Sequence, residues 1–180
     1  MSRIVQNYQI LSKIEEGGYG QVYQGINLLN QKQCAIKCYS HIGELELMRH
    51  EYEILKDLHH KNIISTLCYF EIPVPPKTTF YSRLRRKRPE MQGYLVMERG
   101  DTDFMEFIDK DHCFDKTIQY VKDILEGLVY IHGKRIIHAD LKLENVVISK
   151  GVAKLVDFGM SVQLKPNHTT HLLMGFLYTH

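Results

Sequence analysis

The stretch IIHADLKLENVVI, Ile136 to Ile148, sets a dense polar island between two apolar runs. Short apolar runs of this kind read as buried strands. A charged loop hung between two of them is costly unless its charges have work to do. His138, Asp140, Lys142, Glu144 and Asn145 crowd into eight positions there, so the question is what an Asp, a Lys and an Asn do side by side at the mouth of a core. Three other stretches bear on it. EEGGYGQV places Gly17, Gly18 and Gly20 between β-prone runs, and glycines let backbone N–H groups approach a phosphate closely. No Lys-Ser/Thr pair follows, so this is not a Walker loop, and alone a glycine-rich hairpin is the commoner meaning. In CAIKC, Lys37 sits in an apolar strand and needs an anionic partner, which Glu51 on the following helix could supply; a strand-edge lysine in solvent is the plain alternative. KLVDFG ends an apolar strand on Asp157, a carboxylate well placed to hold a metal, or else an ordinary strand-ending turn.

These residues need elements to position them. Residues 8–39 read as strands punctuated by turns, with QCAIKCY the last of them. GELELMRHEYEILKDLHH changes character: Leu47, Met48, Glu51, Ile54, Leu55 and Leu58 recur at helical spacing. NIISTLCYFEI and GYLVMER read as strands again, on either side of a basic, proline-bearing segment at 73–93. From Asp115 onward, Ile118, Val121, Ile124, Leu125, Leu128 and Ile131 form one apolar stripe, with Asp115 as expected cap and Gly133 as expected stop. SKGVA then marks a turn. A β-rich first half with one helix and a helical second half predict an α+β arrangement of two lobes, 1–99 and 100–180, with the break near 98–101 at Gly100.

Composition excludes several classes. The 180 residues are 44% apolar, enough for one core or two small ones. The net charge of +2 depends on KTTFYSRLRRKR, Lys77 to Arg88, which carries six basic residues and no acidic one. Neither a global nucleic-acid affinity nor a membrane affinity is therefore expected. RLRRKRP, with Arg83 to Arg88, is either a solvated loop or a docking patch for an acidic partner or an import receptor. Cys34, Cys38, Cys68 and Cys113 form no CxxC pair and no zinc spacing, so reduced thiols of a cytoplasmic or nuclear protein are expected. The start MSRIVQNYQIL has no long apolar segment, so neither a signal peptide nor a membrane span is expected.

The glycine loop, Ala-x-Lys, the helical Glu, the His-x-Asp-x-Lys-x-x-Asn loop and Asp-Phe-Gly occur together and in one order. In this the sequence, from about Tyr8 to Gly159, resembles the eukaryotic protein kinase family. The resemblance implies a bilobal kinase fold and the transfer of the ATP γ-phosphate, with magnesium, to a protein hydroxyl. It implies that Asp140 receives or orients the substrate hydroxyl's proton and that Asn145 holds one magnesium. Lys142, two after the Asp, is the serine/threonine form and would steady the γ-phosphate. Lys37 would grip the α- and β-phosphates, with Glu51 holding its ammonium, and Asp157 would chelate magnesium. Ile14, Gly17, Gly18 and Gly20 would cover the nucleotide; Val22, Ala35 and Val147 would sandwich the adenine. Met97 would guard the back of the pocket, Glu98 to Gly100 would offer hinge hydrogen bonds, and Asp103 would reach the ribose.

The sequence departs from the family's pattern at three places. Glu15 stands where the first loop glycine usually is, which adds bulk and negative charge near the nucleotide. Ala139 replaces the Arg of His-Arg-Asp, which argues against an activation-loop phosphate as the main switch. The chain ends at His180, before the Ala-Pro-Glu motif, so that the stripe at 118–131 is expected to expose apolar surface. Two expectations follow: an incomplete serine/threonine kinase, or a truncated kinase-like module that binds nucleotide or protein without phosphotransfer.

Overall fold

The computed structural model describes residues 3–17, 20–39, 42–74, 90–110 and 113–165. Gly18, the basic run Arg83 to Arg88 and the last residues of the chain lie outside the described residues. Six strands build the first half: β1 Arg3–Val5, β2 Tyr8–Gly17, β3 Gly20–Asn27, β4 Gln33–Tyr39, β5 Thr66–Pro73 and β6 Met91–Met97. They form one antiparallel sheet in the order β1-β2-β3-β4-β6-β5. Helix α1, Ile42–Leu55, packs its Leu45, Met48, Ile54 and Leu55 onto one face of it. The bidentate pair Arg49–Glu71, at 2.6 and 2.7 Å, ties α1 to β5. The other face carries a smaller cluster of Val5, Ile10, Cys34, Ile36, Cys38, Tyr94 and Val96.

The second half holds β7 Thr102–Asp103, α2 Phe104–Lys110, α3 Phe114–Gly133, β8 Ile136–Ile137, β9 Val146–Ser149, β10 Val152–Leu155 and β11 Val162–Gln163. β7, β9 and β10 form one small sheet, β8 and β11 another. The larger core runs without a break from Leu45 and Met48 to Phe104, Tyr120, Ile131, Leu155 and Phe158, so both halves share it. The architecture is thus the expected α+β arrangement of a β-sheet lobe and helices. No described helix is long and apolar enough to cross a membrane.

Three points of the sequence reading need correction. β1 was not foreseen: it is a three-residue edge strand, and only its pairing with β2 and the burial of Val5 define it. Helix α3 begins at Phe114, not at an Asp115 cap; Cys113 takes the cap position without a side-chain cap bond, and Asp115 lies in the first turn, where a carboxylate meets the positive helix end. Gly133 ends the helix as expected, and the left-handed residue that turns the chain beyond it is Arg135 (φ 60°). The apolar stripe divides. Ile131 is buried and Ile124 and Leu128 pack on the core, whereas Ile118, Val121 and Leu125 face outward with Phe114 and Val129. The inward face is completed instead by Tyr120, Asp123 and Gly127.

Candidate active site

β4 delivers Lys37 into the space between the sheet and α1, where it is 6% exposed. The α1 spacing that buries Met48 and Leu55 brings Glu51 to the same face, at 0% exposure. The Lys37 Nζ stands 2.9 Å from Glu51 Oε2 and 2.8 Å from Asp157 Oδ1. The strand-edge alternative for Lys37 is therefore excluded: it is a buried ammonium between two carboxylates. Burial opposes its charge, but Glu51 and Asp157 outweigh burial and raise its pKa. For Asp157 burial pushes upward, yet the Lys37 ammonium and the Gly159 N–H hold the carboxyl below its ordinary range. Burial pushes Glu51 up, against the pull of Lys37 and of the Phe158 N–H, which donates to Oε1 at 3.2 Å. Asp157 has a left-handed backbone (φ 57°), a conformation that costs a non-glycine residue about 1–3 kcal/mol and clusters at functional sites.

The polar island of the opening stretch is a loop between β8 and β9. His138 is buried beneath it, with Nε2 2.9 Å from the Val156 carbonyl and its ring edge-on to Phe158 at 4.8 Å. The carbonyl only accepts, so Nε2 bears the hydrogen; the Asp140 N–H approaches Nδ1 at 3.4 Å. Burial lowers the pKa of His138, which suits this neutral form. Ala139 turns the chain at φ 64° and lifts Asp140 toward the cleft. A short 3-10 turn, Leu143–Asn145, then brings Asn145 back, and its Nδ2 donates to both the carbonyl and Oδ2 of Asp140, each at 2.8 Å. Lys142 Nζ lies 3.5 Å from the same Oδ2. Asp140 is thus oriented by an amide and faced by an ammonium, and Asn145 keeps its side-chain oxygen for another partner.

These groups open on one cleft of about 420 Å³. Ile14, Gly20, Val22 and Ala35 line it from the sheet; Met97, Glu98, Gly100 and Asp103 line the connecting side; Asp140, Lys142, Asn145, Val147 and Asp157 line the floor, with Lys37 and Glu51 behind. Gly17 pairs with Gly20 at the tip of the β2–β3 hairpin. Gly20 has φ 132°, and a Cβ there would stand 2.8 Å from the Cys38 carbonyl, so only glycine fits. Gly100 lies against Val147, whose Cβ would be 2.7 Å from any added Cβ. The Glu98 N–H is committed to Ser65 O at 2.9 Å and its carboxylate to Lys154 at 2.6 Å, so of the expected hinge groups this N–H is not open to a ligand. Asp103 lines the cleft and also caps α2, accepting the Glu106 N–H at 2.7 Å. Glu15 lines the cleft as well. Arg99, within the expected hinge, lines it too; Ile64, Asp101, Thr102, Glu106, Glu144 and Val156 complete the lining and were not foreseen as site residues. Asp103-x-x-Glu106 has the form of a helix-capping pair, a signal that would have placed both there.

Among the described residues, no group of three or more His, Cys, Asp or Glu is arranged to hold a metal. Asp157 and Asn145 instead offer two oxygen ligands on one floor, a set that suits a hard cation retaining water and phosphate ligands. The family model for the protein kinase domain matches residues 8–179. Cyclin-dependent kinase 12 of Caenorhabditis elegans is 34% identical over 164 residues, 86% of this chain and 22% of that protein. Serine/threonine-protein kinase 4 homolog A of Dictyostelium discoideum is 33% identical over 162 residues, 87% of this chain and 32% of that protein. MAP3K epsilon protein kinase 2 of Arabidopsis thaliana is 31% identical over 182 residues, 95% of this chain and 12% of that protein. The chain thus spans a third or less of the length of these relatives. With the family model covering nearly all of the sequence and the paired lysine, carboxylates and polar loop converging on one cleft, this chain belongs to the protein kinase domain family.

Proposed function

We infer that the cleft binds ATP with magnesium and transfers the γ-phosphate to serine or threonine hydroxyls of a protein. The observation that carries this reading is the convergence of Lys37, Glu51 and Asp157 with Asp140, Lys142 and Asn145 on one cleft. Lys37 is a buried ammonium on the cleft wall, suited to gripping phosphate oxygens, and Glu51 keeps it in place when Asp157 turns to another partner. Asp157 and Asn145 are the residues that would hold magnesium. Bound there, magnesium would neutralise charge on the phosphates. Asp140, held by two bonds from Asn145, is placed to accept the proton of an incoming hydroxyl, while Lys142 offers a cation to the transferred group. Apolar Val22, Ala35 and Val147 suit the faces of a purine ring.

One variant tests the assignment in the full chain. With a serine/threonine peptide and magnesium ATP, Asp140→Asn should lower phosphate transfer by roughly 10²- to 10⁴-fold while nucleotide binding stays within a factor of a few. Transfer retained within a factor of a few would refute the role given to Asp140. The second reading, nucleotide binding without transfer, is favoured by the Glu15 carboxylate in the cleft lining. Magnesium-dependent ATP binding by the unaltered chain, with no transfer to any peptide, would select it.

A further inference from the structure

Helix α1 carries a polar side chain that the cleft does not use. His50 directly precedes Glu51, and its Nε2 lies 2.7 Å from the carbonyl oxygen of Ser161. A carbonyl oxygen only accepts, so Nε2 carries the hydrogen and donates it. Ser161 is itself buried, at 2% exposure. Its hydroxyl donates to the His138 carbonyl at 3.2 Å and its N–H to the Phe158 carbonyl at 3.0 Å. Glu51 meanwhile accepts the Phe158 N–H. The turn from Asp157 to Ser161 is therefore attached to α1 at two points, Phe158 through Glu51 and Ser161 through His50. A third bond joins it to the loop that presents Asp140.

The second attachment has a mechanical meaning. Consecutive helical side chains project about 100° apart around the axis. Glu51 points into the core toward Lys37, and His50 projects to the side, along the turn. A helix held by the Glu51–Phe158 bond alone can still rotate about it, and rotation draws the Glu51 carboxylate away from the Lys37 ammonium. A bond in another direction, from the adjacent residue to a point three residues further along the turn, opposes that rotation. The side chain that makes it is exposed enough to be exchanged without opening the core.

We propose that His50 is a positioning residue: its hydrogen bond to the Ser161 carbonyl fixes the rotation of α1 and with it the meeting of Glu51 and Lys37. Only the catalytic consequence of this role rests on the phosphotransfer reading; the positional role stands on the contacts themselves. His50→Ala removes the donor, and His50→Gln supplies an amide donor of similar reach. Losing one such hydrogen bond should speed hydrogen exchange at the Phe158 amide by about 3- to 10-fold in the full chain. Amides of β4 and β6 should be unchanged. His50→Gln should restore the Phe158 rate to within about twofold. In transfer assays His50→Ala should lower kcat by about the same factor and leave KM for the peptide unchanged.

An unchanged Phe158 rate in His50→Ala would overturn the proposal. So would a His50→Gln variant no better than His50→Ala, or acceleration spread equally through β4 and β6. Should the unaltered chain transfer no phosphate, the phosphotransfer reading fails, and the exchange rates still decide the role of His50.

Discussion

The buried ion pair makes a prediction that simple addition of contacts would miss. Lys37 and Glu51 have side chains 8% and 1% exposed. Deleting one partner of such a pair leaves an uncompensated charge out of water, at about 3–5 kcal/mol. Glu51→Leu falls at the lower end, about 3 kcal/mol, because Lys37 keeps Asp157 at 2.8 Å; the orphaned Phe158 N–H is part of that cost. Lys37→Met falls at the upper end, about 5 kcal/mol, because Glu51 and Asp157 then share a site with no cation between them. The double variant Lys37→Met/Glu51→Leu replaces both charges by apolar groups of similar volume, an exchange that is often close to neutral. It should lose no more than about 2 kcal/mol, and so be more stable than Lys37→Met by about 3 kcal/mol. Against a domain stability of roughly 5–15 kcal/mol these differences are large. Urea unfolding at neutral pH, with equal m-values as a check that the denatured states match, measures all three variants. A double variant whose loss equals the sum of the single losses would refute the reasoning, since it would mean that the two side chains do not sense each other. Magnesium ATP binding should be lost in every variant that lacks Lys37, whatever its stability.

Gly100→Ala should destabilise the chain by about 1–3 kcal/mol and weaken nucleotide binding, because its Cβ would meet Val147 Cβ at 2.7 Å and the backbone must move; unchanged thermal unfolding would contradict the close approach. His138 gives a pH dependence. Its folded pKa is lowered by burial, so the unfolded chain takes up the proton first, near pH 6.5. Its contribution to stability is complete above that value and is lost as the pH falls toward the folded pKa, by up to about 1.4 kcal/mol per pH unit. Urea midpoints measured between pH 7 and 5 should therefore fall more steeply in the unaltered chain than in His138→Gln, and equal slopes would rule the histidine out.

Sequence reading was most successful where chemistry demanded a rare residue in an apolar setting. Lys37 in CAIKC, Glu51 on the buried face of its helix and Asp157 at the end of KLV all stand out because a charge in a core needs a partner. Their mutual distances could not be read, because they depend on how α1 lies on the sheet. Helix α3 shows the limit. Its apolar residues cover more than half a turn, and which of them face inward depends on the β9–β10 hairpin beside it; there Asp123 accepts the Ala153 N–H at 3.0 Å and takes a core position that hydropathy assigned to leucine and valine. His50 and Ser161 carried no signal at all, since an exposed histidine and a backbone carbonyl look ordinary in any sequence. At Gly20 in EEGGYGQV the backbone conformation and the crowded Cβ direction exclude other residues, a requirement that the run of glycines alone did not assign to one position.

The thiols on the outer face of the sheet give the protein a gauge of its own motion. Burial pushes the thiol of Cys34 up to about 11, and that of Cys38 up to about 12, even with Arg3 pulling the latter down. Little of either thiol is then ionised at neutral pH, and the thiolate is the species that oxidants and alkylating agents attack. Both side chains are covered by the cluster that includes Val5 and Tyr94. Modification of either one therefore waits on separation of β1 or its neighbours from the sheet. An oxidising environment would mark these cysteines in proportion to the time that this face spends open, while Lys37, on the opposite side of the same strand, remains in its ion pair.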